Sequence, residues 1–186
     1  MSREYEISSE ELTVKTAIPF QTLSKMEIRH DVNAHAITKI TVTAREEDQQ
    51  EILSRDWTDT EITVLKKGEE SLPLFSGRVE KLVCDKEGRL LTLLICGIGE
   101  TAKLDREKKK QSFQKAEMTY GQVVQKITQN YQGSTVIWNI GDDKNIDMPL
   151  VQYEETDWEF LIRICSHFHE VIVPDLRTGR MVLHFG

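Results

Sequence analysis

The stretch from Leu150 to Gly186, LVQYEETDWEFLIRICSHFHEVIVPDLRTGRMVLHFG, limits what this chain can fold into more than any other segment. Thr156 stands three residues before Glu159, the capping-box spacing in which each side chain satisfies a backbone N–H that a helix start leaves open. Asp157 adds negative charge to the first turn, where the helix dipole favours it. Trp158, Leu161, Ile162, Cys165 and Phe168 then recur at helical spacing as one apolar stripe, which predicts a helix over about 156–168. Glu170 to Val173 and Met181 to Phe185 read as strands. The segment between them, Pro174 to Gly179, is dense in turn-forming residues, so a C-terminal hairpin follows the helix.

The same logic identifies a second helix over about 119–131. Thr119 and Gln122 form its capping box, Tyr120, Val123, Val124, Ile127 and Tyr131 its stripe, and Gly133 its C-terminal stop. Thr135 to Ile140 reads as a strand and Gly141 to Asn145 as an exposed turn. The preceding run, Asp105 to Lys110, mixes both charges without interleaved aromatics; it reads as a solvated linker rather than a nucleic-acid patch.

Upstream, strands dominate. Leu12 to Phe20 is β-rich and ends near Pro19. Ala36, Thr38, Ile40, Val42 and Ala44 alternate with Ile37, Lys39, Thr41 and Thr43, a period of two with one face more apolar. Asp31 to His35 forms the turn that separates this strand from Met26 to His30. Glu46 to Thr60 is polar and charged, a loop or short helix around Gln49 to Leu53 projecting from the sheet. Ile62 to Leu65 resumes a strand, turned by Lys67 to Glu70. Arg78 to Cys84 and Arg89 to Cys96 make a hairpin joined by Asp85 to Gly88. Its second strand is apolar on both faces, Leu91, Leu93 and Ile95 on one and Leu90, Leu94 and Cys96 on the other, so both faces call for cover. The pattern predicts a mostly β, α+β chain. The strands over residues 1–104 favour an antiparallel β-barrel or a sandwich, and a smaller α/β lobe over residues 105–186 that carries the two capped helices follows.

Composition excludes several classes. A chain of 186 residues with 39% hydrophobic and 30% charged residues can bury one good core or two small ones. No run approaches a membrane span, so no membrane insertion by this segment is expected. Met1 to Glu6 is polar and acidic, without a signal peptide. The net charge of −7 argues against specific nucleic-acid binding. Cys84, Cys96 and Cys165 are odd in number and sit in apolar runs, which predicts buried free thiols without a disulfide framework.

Reactive chemistry is scarce. Cys165, His167, His169 and His184 could be imagined as zinc ligands, but residues two apart on a helix point to different faces. Ser166 beside His167 lacks the strand–turn–helix context of a nucleophile elbow. Glu154, Glu155 and Asp157 precede a helix, where capping accounts for acidity without a paired-carboxylate glycosidase site. Gly97-Ile98-Gly99 lacks the third glycine and the helix of a nucleotide loop. The residues name no catalytic, metal or cofactor site, and the chain is read as a non-enzyme.

Three stretches carry a family resemblance. QYEETDWEFLIRI (Gln152 to Ile164) resembles the Q-Y-x-E-[TS]-D-W-x-F-L-x-R segment of phage late control protein D and VgrG-type proteins. Leu74 to Val79 resembles that family's F-x-G-x-V strand. Leu104-Asp105 through Lys110, then Ser112-Phe113-Gln114 and Thr119-Tyr120, resembles its L-D…R-S-F-Q…T-Y passage. The resemblance covers roughly Leu74 to the end of the chain. It implies a baseplate hub of a contractile phage tail or type VI secretion device, whose first barrel is tail-tube-like and which adapts the tail tube to the spike. It also implies a homotrimer in the full-length hub and, as partners, the tube protein and the spike protein. Such proteins are made in the bacterial cytoplasm and assembled into the tail or secretion apparatus. The chain ends before a second barrel or a spike, as the N-terminal portion of such a hub would. The alternatives are a cell-wall hydrolase of the kind fused to tail hubs, which a Cys–His or paired-carboxylate site would mark, and an unrelated soluble α+β binding module.

Overall fold

The computed structural model describes residues 9–69, 71–115, 117–139 and 141–186. The readings of Met1 to Glu6, and of the turn and strand ends at Glu70 and Ile140, lie outside the described residues. The chain divides into two units, and the fold is mostly β as the patterning predicts.

The first unit holds the residues up to Arg29, Ala36–Gly99 and Leu176–Gly179. Its strands are β1 (Leu12–Thr16), β2 (Thr22–Arg29), β3 (Ile37–Ala44), β4 (Glu61–Lys66), β5 (Phe75–Glu87) and β6 (Leu90–Ile98). They form one antiparallel sheet in the order β1-β4-β5-β6-β3-β2, curled into a half-barrel with β1 and β2 as its edges. The period-two reading of β3 holds, since Thr38, Ile40, Val42 and Ala44 are buried. Ile40, Val42 and Ala44 meet Ile62, Val64, Phe75, Val79, Leu91, Leu93 and Ile95 in one core. Burying each such aliphatic or aromatic side chain is worth about 1.5–3 kcal/mol.

Two glycines permit the curl. A Cβ on Gly77 would collide with the Ile98 carbonyl oxygen and come within 2.8 Å of the Phe75 ring. One on Gly97 would lie 2.7 Å from the Thr38 methyl. Both are places where strands approach too closely for any side chain. The β5–β6 register shifts between Val79 and Lys81, a bulge that adds to the bend.

Four expectations for this unit are corrected. The hairpin is longer than predicted: Asp85 to Glu87 continue β5, and the turn is Gly88-Arg89, with Gly88 at φ +60°. The polar stretch before β4 does not simply project from the sheet. It contains α1 (Gln49–Ser54), and Ile52 and Trp57 are buried in the core, with the Trp57 indole N–H donating to the Ile52 carbonyl at 3.0 Å. Two isolated apolar anchors in a charged segment leave no periodic signal. The second face of β6 is only partly covered, with Leu90 51% exposed and Val83 of β5, opposite Leu94, 40% exposed, since an antiparallel sheet tolerates one solvated face. Cys84 on β5 is exposed and Cys96 half-buried, so of the three cysteines only Cys165 fits the prediction of a buried thiol.

The second unit holds His30–His35, Glu100–Asp175 and Arg180–Gly186. It begins its main segment with a 3-10 helix, Glu100–Asp105, whose Leu104 is fully buried. Then come β7 (Lys108–Phe113), α2 (Tyr120–Thr128), β8 (Thr135–Trp138), β9 (Leu150–Thr156), α3 (Asp157–Ser166), β10 (Ile172–Pro174) and β11 (Val182–Phe185). The expected C-terminal hairpin is the antiparallel pair β10–β11, and β8 adds parallel to β11. Both capping boxes form in full. The apolar faces of α2 and α3 share a core with Leu104, Phe113, Leu150, Ile172, Leu183 and Phe185.

Three local readings are corrected here. Helix α2 ends at Thr128, five residues before Gly133. The Asn130 amide donates to the Lys126 and Ile127 carbonyls and competes with further helix, while Gly133, at φ +73°, serves the next turn. The α3 stripe is wider than predicted: Phe160 and Ile164 are buried, whereas Ile162 and Phe168 are half-buried. The mixed-charge run Asp105 to Lys110 is not a linker, because Lys108–Phe113 is a strand paired antiparallel with β9.

Candidate functional site

The residues of the last two motif stretches converge within the second unit. Asp157, the first residue of α3, is fully buried. Its carboxylate accepts from the Lys109 ammonium at 2.6 Å, the Tyr131 hydroxyl at 2.6 Å and the Gln152 amide at 3.0 Å. Gln152, itself fully buried on β9, also donates to the Glu155 carbonyl and accepts from the Gln111 amide of β7. A buried carboxylate needs this many partners, since an unpaired charge away from water is costly. Burial, and then the hydrogen bond to Asp157, push the Tyr131 hydroxyl well above its ordinary titration range. Tyr131 is therefore a neutral donor at every physiological pH.

Beside this node lies a second. Thr156, the cap of α3, accepts from the Glu159 backbone and donates to Asp105. Asp105 also meets the His35 ring nitrogen Nε2 at 3.3 Å, and His35 Nδ1 lies 3.0 Å from the Thr101 hydroxyl. The His35 ring packs on Trp158 at a centroid distance of 4.3 Å, and Trp158 is 4% exposed, buried as its place in the stripe implies. The loop carrying His35 is anchored by Asn33, which exchanges 2.8 Å hydrogen bonds with the backbone of Ile172. Thr101, His35 and Asp105 thus stand in the order of a hydroxyl–imidazole–carboxylate relay. Thr101 is buried at 1% exposure, so its hydroxyl offers no nucleophile to a substrate.

The candidates weighed from sequence are dispersed. His167 Nδ1 lies 2.9 Å from the Tyr120 hydroxyl. His169 sits at φ +57°, where its N–H reaches Ser166 and that of Glu170 reaches Cys165, a Schellman-type helix end. His184 is on β11, and Cys165 is buried in the core with its thiol pushed up to about 11 by burial and then by Glu170. Ser166 donates to the Arg163 carbonyl. Each carboxylate of the 154–157 cluster has its own cation: Glu154 pairs with Lys110, Glu155 accepts from Nε and Nη2 of Arg163, and Asp157 takes Lys109. Gly97 and Ile98 are strand residues, not a phosphate loop. Among the described residues no three His, Cys, Asp or Glu side chains group as a metal site.

Lys109, Gln152, Asp105 and His35 are what sequence reading missed. The alternation of β7, with Lys109, Gln111 and Phe113 more buried than their neighbours, was the available signal, hidden by three consecutive lysines.

No protein-family model and no curated protein matches the sequence. Solved structures do match. A 43 kDa tail protein of prophage MuSo2 from Shewanella oneidensis superposes with TM-score 0.71 at 20% identity, over 93% of this chain and 52% of that one. A tail protein from Neisseria meningitidis gives TM-score 0.67 at 12% identity, over 93% and 50%. An E. coli component of the type VI secretion system, itself similar to T4 bacteriophage tail proteins, gives 0.69 at 14% identity, over 94% and 48%. The chain shares the fold of phage tail and type VI secretion proteins and spans about half the length of each.

Proposed function

We propose that this chain is the N-terminal part of a baseplate hub in a contractile tail or a related secretion device, with a structural rather than enzymatic role. The carrying observation is the likeness to two tail proteins and a secretion component over 93–94% of the chain. The three motif stretches support the same reading. Their residues are occupied in building the fold: Phe75, Gly77 and Val79 in the half-barrel, Leu104, Phe113 and Tyr120 in the core of the second unit, and Gln152 to Arg163 around the buried carboxylate. On this reading the half-barrel unit is the tube-like barrel of the hub, and the helical unit that begins at Glu100 is the lobe that follows it. Three parent chains, each with two barrel units, match a six-fold tube to a three-fold spike, and the function is mechanical. The tube protein and the spike protein are the partners.

The test is the location of the chain in particles. Antibody raised against this chain should label one end of contractile tails from the source cells by immunogold microscopy, where tube meets baseplate. Labelling along the sheath, or on no particle at all, would overturn the proposal.

A further inference from the structure

We infer that the Lys109–Asp157 pair, whose carboxylate is fully buried, is a register lock that holds β7 against β9 in a bulged alignment. Phe113 to Lys110 pair regularly with Leu150 to Tyr153. The register then jumps, so that Lys109 opposes Glu155 and Lys108 opposes Thr156. Glu154 is left over, at φ +52°, a left-handed conformation that a residue with a Cβ adopts only under constraint.

The unbulged alternative is chemically attractive. It would set Lys109 opposite Glu154 and Lys108 opposite Glu155, two cross-strand Lys–Glu pairs in place of one. It would also return Glu154 to extended backbone. Three consecutive lysines mean that a one-residue slip replaces lysine by lysine, so charge alone specifies no register. The exposed Lys110–Glu154 pair at 2.6 Å favours the bulge, but surface pairs contribute little. Besides the Gln152 hydrogen bond to the Glu155 carbonyl across the leftover residue, the slip would forfeit the ammonium of Lys109 on the fully buried Asp157 carboxylate. That loss leaves a buried charge short of its cation, the largest cost in either alignment. The lock therefore selects which β9 residue beyond Tyr153 shares the inward face with Lys109, and sets where β9 hands over to α3. The inference concerns the second unit alone and stands apart from the assembly role.

Cross-strand NOEs and the Glu154 carbon shifts, measured by NMR on the full chain, read the register directly. The native protein should show residue 109 against Glu155 and left-handed shifts at Glu154. Lys109→Met keeps the length but removes the charge; residue 109 should move opposite Glu154, whose shifts become those of a strand. Asp157→Asn keeps one acceptor oxygen for Gln152 and turns its amide N–H toward the Tyr131 hydroxyl, which can accept, but gives up the ion pair; it should show both registers as doubled resonances at 108–110 and 153–156. Lys108→Met should keep the native register. The lock is refuted if Lys109→Met and Asp157→Asn both retain the single bulged register, or if Lys108→Met slips as readily. Should Lys109→Met fail to fold, Asp157→Asn decides alone: one bulged register refutes the lock, two support it.

Discussion

At the scale of single residues, burial separates side chains that look alike in sequence. Cys165 has its thiol pushed up to about 11, first by burial and then by the nearby Glu170, while Cys84 is exposed on β5. Thiolate is the reactive form, so at pH 8 a disulfide reagent should modify Cys84 in the native protein and reach Cys165 only after unfolding. Rapid modification of Cys165 in the folded chain would contradict its placement. The sign of the linkage follows from the same shift. The folded state holds the Cys165 proton more tightly than the unfolded chain, so this residue's contribution is intact below pH 9 and is lost as pH rises toward about 11. A Cys165→Ala variant should show a shallower alkaline decline in its denaturation midpoint. Trp158 offers a sharper measurement. Wedged between His35 and the core, it should cost about 3–5 kcal/mol on truncation to alanine, and an unmoved urea midpoint would deny it that place.

At the scale of elements, the two capped helices make a controlled comparison. Both caps form, but Thr156 also donates to Asp105, whereas the hydrogen bonds at Thr119 are exposed. Thr156→Ala should therefore cost toward the upper end of the usual cap range, about 2 kcal/mol, and Thr119→Ala nearer 0.5–1 kcal/mol. Chemical denaturation of the two variants checks the order; equal losses would mean that the Asp105 contact adds nothing. These caps were legible in the sequence because a capping box is a local signal, complete within four residues. So were the alternation of β3 and the C-terminal hairpin, each written in adjacent residues. Strand β7 was not legible, because its lysines mimic a solvated charge run and the reason for Lys109 lies 48 residues away at Asp157. The anchor Trp57 stayed hidden for a related cause: one apolar residue in a polar segment has no period. The candidate site shared this fate. Its acidic residues were visible, but the cations that occupy them come from other elements.

At the scale of the whole molecule, the question is what these 186 residues do alone. On the hub reading, a six-unit ring closes only when each of three chains gives two barrel units, and the contacts between unlike units are heterologous. The chain described here supplies one such sheet, so three copies would leave alternate places in the ring open. The candidate ring surface is also thin. On the outer face of the β5–β6 hairpin, Leu90 and Val83 are exposed among charged neighbours such as Glu80, Lys81 and Asp85, too scattered for the contiguous apolar core of an obligate interface. The expected outcome is a monomer or a weak oligomer by light scattering at micromolar concentration, with a stable trimer for the parent hub. A tight trimer of this chain would mean that the contacts closing the ring lie within these two units, and the assignment of the alternate ring positions to a second barrel would fail.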